Sequence, residues 1–474
     1  MGHGTFYPPV RQVARTSRKL ARQDGLPFAQ HLPEKEIHQA VHEAGTTFCE
    51  RIFTPAVTLW TFLSQVFDAD HSCAQAVARL LAFRISKGLR PCSPDTGAYC
   101  KARKRLPEQA MRTLVRNTGQ KLLERSPSCW LWKGRAVKLV DGTTVSIPDT
   151  FKNQKAYPKP RHFPDGVGFP IMRLVVIFSL AVGTVLDAAM GRFHGKLSGE
   201  LSLFRTLDDV LDPGDVVIGD RLFANFWDVA RLQARGIDIV MRMHPGRSQV
   251  WFRGRGHSTG NRRIWWRKKK RPEWMTQEAY AALPEWLRLR AVRVDVSQRG
   301  FRTERLVLVT TLTDAEAYPA VDVAQLYRRR WQVELHLRSL KTILQMDILR
   351  GRSPDIVRKE VWAHLLVYNI VRTLMARAAA QASVRPEEIS FKGALQSFNA
   401  FWPHLLLAST VDEATRLWTI MMAAIARRRV GDRPDRYEPR AVRRGPKGYP
   451  SLSMPRRAAR ALMKAGVRFK GDKD

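Results

Sequence analysis

The sequence is poor in cysteine, has no long apolar run and is short of acids, and each deficit removes a class of protein. Five cysteines, Cys49, Cys73, Cys92, Cys100 and Cys129, are an odd number confined to the first third of 474 residues, and no two form a C-x-x-C pair. Neither a disulfide framework nor a cysteine zinc site is expected. His38 and His42 stand at i, i+4 beside Glu43, but without an H-E-x-x-H order or a third ligand they read as solvated helix residues. No stretch of about 18 apolar residues occurs. The opening MGHGTFYPPVRQVARTSRKL lacks the apolar segment of a signal peptide, so a cytoplasmic protein outside the membrane is expected. No internal repeat is visible.

The shortage of acids is the most informative deficit. Against 80 Lys and Arg stand 43 Asp and Glu, a net charge of +37, while 44% of residues remain hydrophobic. The chain is therefore foldable and strongly cationic. Such a surface concentrates polyanions, and each phosphate it neutralises releases counterions, so nucleic acid is the leading partner and an anionic membrane the weaker rival.

Along the chain, residues 1–128 read as helical, in segments separated by Pro, Gly and Ser. Lys101, Arg103, Lys104 and Arg105 precede an apolar-periodic helix, which suits a small DNA-binding module or a basic solvated face. From residue 129 to 242 the pattern turns to short strands, AVKLV, LVVIFSLAV, TVLDAAM and DVVIGD, then alternates helix and strand, as in a mixed α/β sheet. Residues 243–320 differ again: rich in Arg, Lys and Trp, then alternating like strands, they read as an inserted β-rich subdomain. Its cations would track phosphates, and Trp251, Trp265 and Trp266 would offer stacking faces to unpaired bases; the alternative is that these, with Trp274 and Trp286, fill the insertion's core. Helix resumes over 321–382, and 383–474 mixes apolar helix with basic loops.

The segment AQLYRRRWQVELHLRSLKTIL carries the chemistry. On one helix, with Tyr327 at zero, Arg330 falls near 300°, Glu334 near 340°, Lys341 near 320° and Arg338 near 20°, taking roughly 100° per residue. Leu326, Val333, Leu337, Leu340 and Leu344 form the adjacent apolar stripe. A carboxylate bordered by core on one side and cations on the other suits a rigid metal ligand beside a phosphodiester-binding face. It suits equally a salt-bridge partner for Arg330 or Arg338. Asp141 and Asp220 each follow an apolar strand-like run, where strand ends project acids toward a shared point. Hard divalent cations need oxygen ligands, and two-metal phosphoryl transfer draws carboxylates from separate elements. Singly, Asp141-Gly142 is also a turn dipeptide and Asp220 a helix cap. Asp187, inside a strand, and Asp215, in a turn, are weaker competitors.

Tyr327-x-x-Arg330-x-x-x-Glu334-x-x-x-x-x-x-Lys341 has the spacing of the tyrosine-arginine-glutamate-lysine signature, and with VDGTT at Asp141, IGDRLF at Asp220 and VTTL it resembles the DDE transposases of bacterial insertion-sequence family four over roughly 135–378. TGAYCKARKRLP also looks familial. Leu222 departs from the small residue many members have there, while Phe223 keeps the aromatic. The resemblance implies a ribonuclease-H-like core interrupted by a β-rich insertion. It also implies that Asp141, Asp220 and Glu334 bind two Mg2+, with Mn2+ substituting, and that Tyr327, Arg330 and Lys341 contact phosphates of the transposon end. Cut-and-paste transposition is expected, with second-strand cleavage through a hairpin and an insertion Trp on a flipped base. The expected partners are double-stranded DNA, at terminal inverted repeats and target, and a second copy of the chain in the DNA complex. A bacterial, nucleoid-associated protein follows. The alternatives are a metal-dependent nuclease or recombinase without strand transfer and a non-catalytic DNA-binding descendant.

Overall fold

In a computed structural model of the chain, residues 32–48, 51–159, 168–244, 246, 260–295, 305–431, 454 and 456–466 are described. The N-terminal part is helical: α1 (Glu34–Glu43), α2 (Pro55–Phe67), α3 (Cys73–Ser86), α4 (Thr96–Arg105) and α5 (Glu108–Glu124). Local chemistry starts these helices where the sequence punctuates. Thr54 accepts a hydrogen bond from the Val57 N–H at the head of α2, with Pro55 in the first turn, and Ser72 accepts from Gln75 at the head of α3.

One eight-stranded sheet follows, in the order β3-β2-β1-β4-β5-β8-β7-β6. β1 (Val137–Ser146), β2 (Ile171–Ser179) and β3 (Val185–Arg192) form an antiparallel meander, and β4 (Val216–Gly219) and β5 (Asp238–Arg242) lie parallel to β1. This is the mixed sheet of a ribonuclease-H-like core. Its central strands are covered on both faces, which is why VVIG and IVM read as unbroken apolar runs instead of alternating. Between strands lie α6 (Phe151–Ala156), α7 (Glu200–Phe204) and α8 (Phe226–Ala234).

The Arg- and Trp-rich run supplies β6 (Asn261–Arg267), the short α9 (Gln277–Ala281), β7 (Trp286–Asp295) and β8 (Arg305–Thr310). These strands extend the core sheet, because β8 pairs antiparallel with β5 from Val240 opposite Thr310 to Arg242 opposite Leu308. Some of the run's charge turns inward. Arg290 is buried in β7 and donates to Asn261 Oδ1 and to the carbonyls of Leu312 and Tyr318.

The C-terminal part contributes α10 (Ala320–Arg328), α11 (Trp331–Arg338), α12 (Pro354–Gln381), α13 (Phe391–Leu407), α14 (Val411–Arg427) and α15 (Arg456–Lys464). α12 is buried along most of its length, and its polar residues fix the layers to one another. Asn369 donates to the Val115 and Val185 carbonyls and accepts from the Val185 N–H, joining α12 to α5 and to β3. Tyr368 donates to the Gly183 carbonyl, and Arg372 to that of Val182. Gly119 of α5 sits so close to β3 that an added Cβ would lie 2.2 Å from the Val185 oxygen. The N-terminal helices are thus seated on the sheet through backbone contact that only glycine permits. No described helix is long and apolar enough to cross a membrane.

Candidate active site

Strand register brings the first two acids together. The last parallel pair between β1 and β4 is Leu139 with Ile218, and two residues further along each chain stand Asp141 and Asp220. A step of two preserves the side of the sheet, so both carboxylates belong to one face. Asp141 does not end its strand, contrary to the sequence reading, and Asp141-Gly142 is not a turn. β2 continues to pair with β1 from Asp141 opposite Val176 to Ser146 opposite Ile171, whereas β4 stops short, so Asp141 lies where its parallel neighbour ends. Asp220 caps no helix: Asn225 is the cap of α8, and Asp220 Oδ1 instead accepts the Leu222 N–H at 2.8 Å. Phe223 is buried edge-on against Phe204, and Leu222 is exposed.

The third acid arrives on the signature segment. Leu326, Val333, Leu337, Leu340 and Leu344 are all buried, as the apolar stripe requires. The segment is not one helix, however. It breaks at Arg329–Arg330 between α10 and α11, and widens into a π-turn over Ser339–Ile343, closed by the Leu344 N–H donating to the Ser339 carbonyl at 2.9 Å. Such π-turns insert a residue into the helical ladder and recur at functional sites. Here the turn carries Lys341, whose Nζ donates to the Thr144 carbonyl at 3.0 Å and reaches Thr143 Oγ1 at 3.4 Å, tying it to the strand of Asp141.

Arg330 connects the elements. Its Nη2 donates to Glu334 Oε1 at 2.9 Å and its Nη1 lies 4.0 Å from Asp141 Oδ2. Burial opposes the guanidinium's charge, yet Tyr327, Glu334 and Asp141 outweigh it and hold the Arg330 pKa above its usual value. Burial also pushes the Asp141 carboxyl up to about 6; Asp220 and Glu200 add repulsion, while the Gly142 N–H and Arg330 pull the other way. Tyr327 is buried and its phenol raised for the same reason, with Arg330 and Arg242 opposing. Arg338 is exposed at the end of α11. Among the described residues no three His, Cys, Asp or Glu side chains converge closely enough to hold a metal as they stand. The guanidinium of Arg330 supplies, between two of the acids, the positive charge that a divalent ion would supply. An all-carboxylate donor set is the oxygen chemistry that a hard cation takes.

Residues 132–370 match the family described as the transposase DDE domain. The chain belongs to the DDE transposase family. The transposase is 26% identical over 370 residues, 76% of its length and 79% of the other's, to the transposase InsG for insertion sequence element IS4 of Escherichia coli (strain K12). It is 41% identical over 61 residues, 13% of this chain and 16% of the other, to the transposase for insertion sequence element IS421 of Escherichia coli. The resemblance to insertion-sequence family four is thereby borne out, and the protein is a DNA transposase of a metal-dependent family. A piggyBac transposase synaptic complex with hairpin DNA aligns over 87% of this chain and 85% of its own at a TM-score of 0.41 and 10% identity, a likeness too slight to bear on fold or function.

The remaining candidates scatter. Asp187 is fully buried and clasped by Arg112 Nη2 at 2.7 Å, with Arg116 at 3.9 Å; Asp215 pairs with buried Lys138 at 2.6 Å. Both competitors are thus taken up by structure. On α4, Lys101, Lys104 and Arg105 are exposed. Arg103 is half-buried: its guanidinium lies over the Phe62 and Tyr99 rings and donates to Gln65, because the helix turns that side toward α2. Trp266 is buried at 9% exposure, since alternation along β6 points it to the core and its neighbour Trp265, 57% exposed, to solvent. Trp251 lies outside the described residues. Sequence reasoning missed Glu200 and Arg242, for which no motif or periodicity gave a signal. The Asp187 geometry yields a clear expectation: Asp187→Asn removes one side of a buried ion pair and lowers stability by about 3 kcal/mol, seen as a fall in Tm, while DNA cleavage well below that Tm persists. Lost cleavage with an unchanged Tm would return Asp187 to the catalytic set.

Proposed function

We propose that the transposase performs cut-and-paste transposition, with Asp141, Asp220 and Glu334 holding two Mg2+ ions, for which Mn2+ substitutes. The observation that carries this reading is the ion-paired bridge from Asp141 through Arg330 to Glu334, which places acids of separate elements around one strongly positive group. Bound there, divalent ions would supply activation of the attacking oxygen and neutralisation of charge on the leaving 3′ oxygen.

The chain's own residues do the positioning. Asp141 and Glu334 are held by a strand and a helix that are both packed on the core, so their carboxylates are fixed in advance. Arg330 is a planar donor able to exchange its carboxylates for phosphate oxygens, and doing so would free both acids for metal as the scissile phosphodiester arrives. Lys341, anchored over β1, and exposed Arg338 extend the cationic track, and Tyr327 backs Arg330. The 3′-hydroxyl freed by the first nick would attack the opposite strand, closing a hairpin on the transposon end and releasing the flanking DNA; water would then open the hairpin and regenerate the 3′-hydroxyl, which would attack target DNA at the same acids. Exposed Trp265 on β6 is the stacking face available to an unpaired base among the described candidates. The DNA substrates are the terminal inverted repeats and the target. A homodimer pairs the two ends, and action on bacterial DNA places the protein at the nucleoid. Lys101, Lys104 and Arg105 contact backbone phosphates.

On a supercoiled plasmid bearing the element's own ends, in Mg2+, Glu334→Gln is expected to lose end-specific cleavage by about a thousandfold, the equivalent of several kcal/mol of metal-borne charge stabilisation, at unchanged DNA affinity. Equal cutting by both proteins would remove Glu334 from the reaction, and joining of pre-cut ends to target separates a transposase from a simple nuclease. Trp265→Ala is expected to slow the second-strand step roughly tenfold, a fair share of one base-stacking contact, and to spare the first nick. A first nick slowed equally would assign Trp265 to general DNA binding.

A further inference from the structure

Beside Asp141 stands an acid that the three-carboxylate reading does not use. Glu200 opens α7, and its carboxyl group rests on the backbone of Gly142: a Cβ added there would meet Glu200 Cδ at 2.4 Å and Oε2 at 2.7 Å. Gly142 lies inside β1 and its backbone is not in the left-handed region, so close approach, and not conformation, is what this glycine permits. The approach is built on a rigid base. Leu203 and Phe204 of α7 are buried, and Leu203 lies against Gly191 of β3, where an added Cβ would come within 2.9 Å of it. Just ahead of the helix, Arg173 of β2 donates to the Ser198 carbonyl.

Two further features set Glu200 apart. In a chain carrying +37, its carboxylate has neither a hydrogen bond nor an ion pair among the described residues, although Arg and Lys surround so many other acids. It is also held beside a second partly buried carboxylate, and its charge adds to the repulsion on Asp141. Arg330, the cation beside Asp141, is already engaged by Glu334, and holding a further carboxylate there costs free energy unless an additional cation repays it. A helix-terminus role does not account for the placement, since α7 spans only Glu200–Phe204 and the carboxylate lies against a different element.

We infer that Glu200 provides a fourth carboxylate to the metal centre, gripping the ion held by Asp141 from the Gly142 side. The inference rests on the acid assignment proposed above. With Glu200 the centre offers four negative charges to two divalent ions, and the Asp141 metal is embraced from β1, from the end of β4 and from α7. Glu334, on α11, reaches Asp141 through Arg330.

The test is direct Mn2+ binding to the full-length protein, by calorimetry and by the loss of the free-ion electron-paramagnetic signal, without reference to cleavage. Glu200→Gln is expected to weaken Mn2+ binding roughly tenfold, as loss of a supporting ligand does, while the Tm of the metal-free protein stays level or rises because repulsion on Asp141 is relieved. Glu200→Asp, which keeps the charge on a shorter arm, is expected to recover part of the affinity, which a purely packing role would not produce. If Asp141→Asn abolishes binding and the Glu200→Gln titration overlays the wild type, Glu200 is no ligand and the three-acid reading stands alone. If Asp141→Asn also binds like wild type, the assignment of the acids fails and this inference falls with it.

Discussion

The structure turns on the concentration of negative charge at one point of an otherwise cationic protein. Parallel register carries Asp141 and, one residue past the end of β4, Asp220 to the same side of the sheet, and the signature segment brings Glu334 to Asp141 through Arg330. Burial pushes the Asp141 carboxyl up to about 6, and the neighbouring carboxylates add repulsion. An arrangement of this kind persists only where a packed scaffold enforces it and a cation completes it. Arg330 meets the second need while the acids stand alone, and the same guanidinium is suited by shape and charge to a phosphodiester.

Much of the remaining architecture serves that enforcement. β2 continues alongside β1 after β4 has ended, so Asp141 is held in a strand where its parallel neighbour stops. α12 runs behind the sheet and, through Asn369, Tyr368 and Arg372, binds the β2–β3 turn and α5 into one body with the signature segment. The buried Arg112–Asp187 clasp joins α5 to β3 by charge, as Gly119 does by contact. Strands β6 to β8 prolong the sheet past β5, so Trp265 is carried on the same rigid frame as the acids.

Fold class and the approach of Asp141 to the signature segment were legible in the sequence because they obey short-range rules. Strands buried on both faces read as apolar runs, the signature helix shows an apolar stripe that is buried throughout, and the four-residue spacing from Tyr327 to Lys341 is specific. What the sequence concealed depends on partners far along the chain. Whether Asp141 ends a strand is decided by how far β2 and β4 each accompany β1, not by the turn propensity of Asp-Gly. The π-turn at Ser339–Ile343 alters the phase that a uniform helical step assigns to Lys341. Arg103 and Arg105 are neighbours of the same charge, yet helix orientation half-buries one against Phe62 and leaves the other exposed over Phe48. Glu200 is one glutamate in an unremarkable helix start, and only the approach of α7 to Gly142 gives it meaning.

On the proposed reading these acids form the metal centre, and Arg330 yields its place there when DNA binds. The most direct measurement is anomalous scattering from Mn2+ in crystals of the protein with a pre-cut transposon end. Manganese peaks are expected within direct ligand distance, about 2.0–2.6 Å for hard cations, of Asp141, Asp220 and Glu334, with the Arg330 guanidinium moved from Asp141 onto a DNA phosphate. Manganese bound elsewhere, or an Arg330 still bridging Asp141 and Glu334 beside an engaged DNA end, would contradict it.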